Sequence, residues 1–190
     1  RSAIERQVDI LTNMGCNAIR LTHNPFGAEY LDVCQRKGVL LVEELFDGWT
    51  KSKKQKDFGR YFADHYAEVV TGTIRRDWNN PAVIMWSLGN EVRTNLTLGD
   101  YSSSEIVNVC TMVNNAVKAL DSTRPTTMGN NVPGGNLAAL MAIVDVVGIN
   151  YNGNNQTYQT DRPIYGSETT SALSSRGVYA TDSANMAYPS

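Results

Sequence analysis

An α/β fold, a parallel (β/α)8 barrel of the TIM type seen without its first and last strands, is what the sequence predicts, on three observations. Short wholly apolar runs, Val39-Leu40-Leu41-Val42 and Val83-Ile84-Met85-Trp86, read as strands buried on both faces of a parallel sheet. Helical patterns alternate with such runs through at least the first half of the chain, the signature of βαβ units. Most strands end in polar residues, as in a barrel whose functional groups crowd one rim. Six strands are legible in 190 residues, whereas an eight-stranded barrel takes about 250. One strand is therefore expected before Ser2 and one after Ser190, since a six-stranded arc leaves two raw sheet edges. With no repeat, low-complexity tract or linker, residues 1–190 are read as one barrel domain, truncated relative to its parent.

Taken in order, Ser2-Ala3-Ile4-Glu5 fits a capping box, and Ile4, Val8, Leu11 and Met14 follow at helical spacing until Gly15 closes the helix. Residues 18–22 form a strand that His23-Asn24-Pro25 stops. A helix over 28–37 ends at Gly38, and the strand 39–42 ends in Glu43-Glu44. The lysine-rich stretch 50–57 reads as a solvated loop. Phe62, Tyr66, Val69, Val70 and Ile74 mark a third helix, leading through the turn Asn79-Asn80-Pro81 to the central strand 83–86. Gly89 is expected to turn the backbone sharply there, leaving Asn90 and Glu91 side by side at the strand's carboxyl end. Ser103 or Ser104 opens a fourth helix running to Leu120. Strand 125–128, a loop over 130–136 with Pro133-Gly134-Gly135, strand 144–149 ending in Asn150-Tyr151, and strand 163–166 ending in Ser167-Glu168 complete the chain.

Composition excludes several classes. At 42% hydrophobic and 19% charged residues the chain is an ordinary globular one. A net charge of −2 offers no electrostatic reason to expect nucleic acid or an anionic membrane as partner. No apolar run approaches the roughly 20 residues of a bilayer span. The beginning, Arg1-Ser2-Ala3-Ile4-Glu5-Arg6, is neither an initiating methionine nor a signal peptide, so the chain is read as an excerpt. Cys16, Cys34 and Cys110 lie in apolar segments and read as buried thiols rather than a disulfide framework or metal site. The sequons Asn95-Leu96-Thr97 and Asn155-Gln156-Thr157 are expected by chance.

The chemistry rests on two carboxylates placed alike. Glu91 ends one strand and Glu168 ends another three strands later, positions that face each other across the mouth of a closed barrel. Read blandly, Glu91 merely caps the following helix. Its strand-end setting argues otherwise, because buried polar groups are costly. Paired carboxylates flanking a bond are what glycoside hydrolysis requires. One stays protonated to donate to the leaving oxygen while the other attacks the anomeric carbon.

The residues also carry a family resemblance. The run Asn17-Ala18-Ile19-Arg20-Leu21-Thr22-His23-Asn24-Pro25, the segment from Leu31-Asp32-Val33-Cys34 through Gly38 to Glu44 and Trp49, and the central run from Arg76-Asp77 to Gly89-Asn90-Glu91 resemble glycoside hydrolase family 2. That family includes β-galactosidases, β-glucuronidases and β-mannosidases. The resemblance covers residues from about Ile4 to Gly177. It implies a (β/α)8 catalytic barrel and a retaining double displacement. It makes Glu91 the acid/base, Asn90 a partner of the substrate 2-hydroxyl, and Glu168, through the looser match Pro163-Ile164-Tyr165-Gly166-Ser167-Glu168-Thr169, the nucleophile. The chain departs from the family pattern at Asn80, where histidine is usual, at Trp78, where a basic residue is usual, and at Gln35, where aspartate is usual.

Supporting residues are weighed the same way. Arg20 inside a buried strand needs a carboxylate partner, and the resemblance has it holding the nucleophile. His23 and Asn24 are expected to contact sugar hydroxyls through the His-Asn-Pro match. Glu44 is either an end-of-strand charge or part of the site. Tyr151 is a barrel-mouth aromatic or a hydrogen-bond donor to the nucleophile. Trp49, in a rim loop, is expected to stack on a sugar ring, while Trp86 is core and His65 surface.

These readings converge on a retaining exo-β-glycosidase, with β-galactosides the favoured substrates and a β-glucuronidase or β-mannosidase as alternatives. A metal-dependent barrel enzyme using His23, Glu43, Glu44 and Asp47, and a carbohydrate-binding module that has lost catalysis, are the other readings. No cofactor is required, and a divalent cation is admitted without support. The expected partners are a carbohydrate substrate and other domains of the parent chain, with homo-oligomerisation open. The resemblance favours a periplasmic or secreted location in a bacterium over a cytoplasmic one. The 190 residues by themselves are expected to be inactive.

Overall fold

The computed structural model describes residues 1–92, 101–131, 137–151 and 161–169. Both sequons, Arg93, the Pro133-Gly134-Gly135 turn and the stretch up to Gly177 lie outside the described residues. The elements in order are α1 (Ser2–Asn13), β1 (Ala18–Leu21), α2 (Ala28–Lys37), β2 (Leu40–Glu44), a 3-10 turn (Phe58–Tyr61), α3 (Phe62–Asp77), β3 (Val83–Asn90), α4 (Ser103–Leu120), β4 (Thr126–Asn130), α5 (Leu137–Met141), β5 (Val147–Asn150) and β6 (Ile164–Glu168). All six strands run parallel in one sheet, in sequence order from β1 to β6. Sequential parallel strands joined by crossovers are the build of a (β/α)8 barrel, of which this sheet is an arc.

The helices cover the outer face of that arc. Ile106, Cys110, Val113 and Val117 of α4 are buried at helical spacing, as are Val70 and Ile74 of α3. The largest buried side chains are Trp49, Trp86, Phe46 and Phe62, and full burial of such a group contributes about 1.5–3 kcal/mol. Trp86 is core, as expected, and its indole Nε1 donates to Asp121 Oδ2 at 3.0 Å. Asp121 caps α4 and also binds Thr123 and Arg124, so the polar edge of the tryptophan is satisfied inside the core. Burial pushes the Cys34 thiol up to about 11 and the Cys110 thiol up to about 12, which makes both unreactive. Cys16 is half-buried, and all three cysteines are free.

Several local expectations are corrected. Ser2 does not cap α1: the N-cap is Arg1, with no side-chain cap bond. Glu5 instead accepts from Arg1 and Arg36, two ion pairs that outcompete the capping box. The reciprocal capping box occurs at α4, between Ser102 and Glu105. Strands β2 and β3 continue through the polar residues thought to follow them, so Glu43, Glu44, Gly89 and Asn90 are ladder residues. Gly89 therefore makes no turn. A Cβ there would lie 2.9 Å from Trp49 Nε1, so glycine provides clearance for the indole. The turn falls one step past the strand, at Glu91, with φ of 45°.

Candidate active site

Strands β1, β2 and β3 project Arg20, Glu44 and Ser87 toward one another. Arg20 donates to Glu44 Oε2 through Nε at 3.0 Å and Nη2 at 2.6 Å. Ser87 Oγ donates to the same oxygen at 2.6 Å, and His23 Nδ1 stands 2.7 Å from Glu44 Oε1. Glu44 is 0% exposed and Arg20 7%. A carboxylate so buried is tolerated because it is paired with Arg20 and both of its oxygens have hydrogen-bond partners. The same guanidinium reaches across to β6, where Nη1 donates to Glu168 Oε1 at 2.8 Å, and to β3, where Nη2 donates to Asn90 Oδ1 at 3.0 Å. Burial alone would lower Arg20, but the charge of Glu44 and the bond to Glu168 outweigh it and hold the guanidinium above its ordinary value.

A bulge makes this convergence possible. Ser87 pairs with Thr127 and Asn90 with Gly129, so β3 carries one residue more than β4 over that step. Strict alternation would turn Ser87 and Asn90 to opposite faces; the extra residue brings both to Arg20 and Glu44. A second register shift, in β6 against β5, sets Asn150 opposite Glu168. At Gly129 an added Cβ would meet Arg20 Nη2 at 2.7 Å, Asn150 Oδ1 at 2.9 Å and Asn90 Oδ1 at 3.0 Å. Only a glycine leaves room for that knot.

Glu91 and Glu168 are tied to consecutive residues. Asn150 Nδ2 donates to Glu91 Oε1 at 2.9 Å and to Asn90 Oδ1 at 3.1 Å. The Tyr151 hydroxyl donates to Glu168 Oε2, and the Tyr151 amide donates to the Glu168 carbonyl at 2.6 Å. The bond to Glu168, then burial, pushes the Tyr151 phenol up to about 12, so it stays a donor near neutral pH. Ser167 Oγ holds Asn150 Oδ1 at 2.6 Å, which leaves the amide nitrogen facing Glu91. Glu91 and Tyr151 are the two non-glycine residues with positive φ among the described residues, 45° and 60°. A left-handed conformation costs such residues about 1–2 kcal/mol, and here it recurs immediately after β3 and after β5. The Thr22–His23 peptide beside them is cis.

The structure thus brings together Arg20, His23, Glu44, Asn90, Glu91, Tyr151 and Glu168. His23 also lies 3.7 Å from Glu168 through Nε2. Asn24 stands apart from these hydrogen bonds, lining a cavity of about 290 Å³ with Phe46, Asp47, Phe58 and Gly59. Trp49 corrects the expectation of a sugar-stacking face: it is 0% exposed, and its Nε1 donates to the Leu88 carbonyl at 3.0 Å. The loop folds its indole under β3 instead of over the rim. His65 is exposed and bonded to Glu68, as read. The metal set is split. Glu43 points to the outer face, where Arg76 Nη2 is 3.3 Å away, while Glu44 is engaged by Arg20, Ser87 and His23 on the inner one. Among the described residues no group of three His, Cys, Asp or Glu side chains is arranged to hold a metal.

Sequence reasoning missed Ser87, Asn150, Ser167 and Lys53. Asn150 had a signal, since it sits at a strand end beside Tyr151 as Asn90 sits beside Glu91. Ser87 had none that strand alternation preserves. Lys53 comes from the stretch read as solvated loop, yet its Nζ donates to Asp47 Oδ1 at 2.8 Å and to the Asn90 carbonyl at 2.7 Å.

Residues 1–164 match the family described as Glycosyl hydrolases family 2, TIM barrel domain. The chain is 38% identical to beta-galactosidase BoGH2A of Bacteroides ovatus over 97% of its own length and 25% of that protein's. It is 31% identical to a putative beta-glucuronidase of Formosa agariphila, over 90% of the chain and 15% of that protein. Among solved structures, a glycosyl hydrolase family 2 member from Bacteroides cellulosilyticus superposes with a TM-score of 0.79 at 37% identity, covering 90% of this chain and 22% of that one. The chain therefore spans about a quarter or less of the length of these relatives.

Proposed function

Since the chain belongs to glycosyl hydrolase family 2, we propose that it forms the catalytic core of a retaining exo-β-glycosidase that cleaves terminal β-linked sugars, β-galactosides foremost. The observation that carries this reading is the pair of strand-end carboxylates, Glu91 and Glu168, held by different groups. Glu168 accepts from Arg20 on one oxygen and from Tyr151 on the other, which fixes its orientation. Glu91 accepts a neutral amide from Asn150, a setting suited to a group that carries a proton in one step and gives it up in the next.

In the first step the Glu168 carboxylate attacks the anomeric carbon. The glycosidic C–O bond breaks, and the Glu91 proton passes to the departing oxygen. The product is a glycosyl ester on Glu168. In the second step Glu91 takes a proton from water, whose oxygen attacks the anomeric carbon and releases Glu168, restoring the starting configuration. Asn90 Oδ1 already accepts from Arg20 and Asn150, so its amide nitrogen is the part left to donate to the sugar 2-hydroxyl. His23 contacts the glycon hydroxyls beside Glu168, and Asn24 contacts them from the neighbouring cavity. Arg20 and Glu44 support the nucleophile.

The β-galactoside preference is supported by the relative matched over 97% of the chain, itself named a beta-galactosidase. A β-glucuronidase is the second reading, favoured by the Formosa relative. Arg20 and Lys53, the cations beside the glutamates, are engaged by Glu44, Glu168 and Asp47, which argues against their receiving a uronate. The test is hydrolysis of aryl β-galactosides, β-glucuronides and β-mannosides by the full-length protein, beside its Glu168→Ala and Glu91→Ala variants. Glu168→Ala is expected to abolish turnover, and azide to rescue it with inverted product. Glu91→Ala is expected to yield a retained glycosyl azide. Full activity in both variants overturns the pairing.

A further inference from the structure

We propose that Lys53 is a positioning residue for Glu91, fixing the Asn90–Glu91 peptide and through it the acid/base carboxyl group. The proposal rests on the reading of Glu91 as acid/base. That peptide is gripped from both sides. The Glu91 amide donates to the Gly129 carbonyl at 2.7 Å, and the Asn90 carbonyl accepts from Lys53 Nζ at 2.7 Å. The left-handed φ of Glu91, 45°, is the first rotatable bond after that peptide. A peptide clamped at its N–H and its C=O cannot rotate to relieve that conformation, so the N–Cα bond from which Glu91 continues is held in place.

Lys53 is built for this task. A lysine in a polar loop ordinarily keeps its rotamer freedom, worth about 1.5–2 kcal/mol, and a surface ion pair contributes about 0–1 kcal/mol. Pairing with Asp47 alone would not hold it. Its side chain is nevertheless only 13% exposed, and its bond to a backbone carbonyl is charge-assisted. The backbone beneath it is braced as well. Asp57 accepts the amides of Lys53 at 2.6 Å and Lys54 at 2.9 Å on one oxygen and that of Gly59 at 2.8 Å on the other. The Lys51 amide donates to the Tyr101 hydroxyl at 2.7 Å. Two anchors therefore aim the ammonium at the end of β3. Asp47 completes the arm: its Oδ1 holds Nζ and lies 3.5 Å from Asn90 Nδ2.

Loss of the ammonium frees the Asn90 carbonyl, and a displacement of reacting groups by about 1 Å costs on the order of 100-fold in rate. The loss must follow proton transfer, because Lys53 acts through the acid/base. The test uses the full-length enzyme with Lys53→Met and Lys53→Arg, on phenyl and 2,4-dinitrophenyl β-glycosides of the sugar it cleaves. For Lys53→Met, kcat/KM on the phenyl glycoside is expected to fall about 10- to 100-fold. On the dinitrophenyl glycoside, whose leaving group needs no acid, it should fall less than about 3-fold. Azide should accelerate that variant on the dinitrophenyl substrate, as it does Glu91→Ala. Lys53→Arg, which keeps a charged donor, should recover most of the phenyl activity. The double variant Lys53→Met/Glu91→Ala should be no slower than Glu91→Ala alone. Should Lys53→Met not fold, Lys53→Gln, whose amide falls short of the carbonyl, replaces it. Equal losses on both leaving groups, or losses that add in the double variant, overturn the proposal. A Glu91→Ala enzyme indifferent to the leaving group overturns the acid/base reading itself, and this one with it.

Discussion

Arg20 donates from one planar fork to Glu44, Glu168 and Asn90, and lysine can supply the charge of that fork but not its shape. Arg20→Lys is expected to keep the fold while lowering kcat on the order of 100-fold, since the Glu168 carboxylate loses one of its two holders. Arg20→Met leaves Glu44 buried without its cation, a loss of about 3–5 kcal/mol, and should lower the thermal midpoint markedly. Calorimetry beside kinetics on both variants separates the two effects. That Arg20 needs a carboxylate was readable from the sequence, because an unpaired guanidinium in a buried strand is expensive. The resemblance pointed to Glu168, and Arg20 does bind it; that Glu44 takes the guanidinium as well was not readable, because it depends on where β2 comes to lie. Lys53 was illegible for the opposite reason. Lysine is at home in a polar loop, and nothing local to residues 50–57 reports that the loop leans on the end of β3.

At the scale of elements, wholly apolar runs marked the strands and the 3.6-residue spacing marked the helices over them. The ends were harder to read. Glu43 and Glu44 look like a stop signal, yet both are ladder residues, facing different layers. Glu44 is bound by Arg20, Ser87 and His23, while Glu43 meets Arg76 through Oε1 and leaves Oε2 buried without a partner. Alternation also fails where it matters, since the bulges of β3 and β6 shift side-chain parity just before Glu91 and Glu168. Glu43 carries a prediction for the packing of β2 on α3. Burial first, then the neighbouring charge of Asp77, pushes it up to about 8, with Arg76 opposing. The folded chain holds a proton that the unfolded chain releases from about its ordinary value of 4.5. The stability this contributes is complete below that value and is lost as pH rises toward 8. Glu43→Gln cannot ionise, so its midpoint should gain on the parent as pH increases from 5 to 8, by roughly 2–4 °C for each kcal/mol. Thermal melts at each pH check the slope; a constant difference would contradict it.

At the largest scale, the described residues form one six-stranded open sheet whose margins are β1 and β6. Parallel margins left bare offer unpaired amides and carbonyls to other chains. Residues 1–190 produced alone are therefore expected to self-associate and to hydrolyse no aryl β-glycoside, in contrast to the activity expected of the full-length protein. Light scattering and an activity assay test both, and an active, monodisperse monomer would refute them. The number of strands and their order were legible, because each apolar run neighbours the next in sequence and in space.

The bond from Arg20 to Glu168 joins the first strand of the sheet to the last, across 148 positions of sequence. Every strand pairing in the sheet, by contrast, joins strands that follow one another in the chain. This bond differs, because Glu168 itself lies on β6, and Arg20 meets that carboxylate only when the last strand of the arc is in place. The ion pair therefore reports that the two margins have come within a side chain's length of each other.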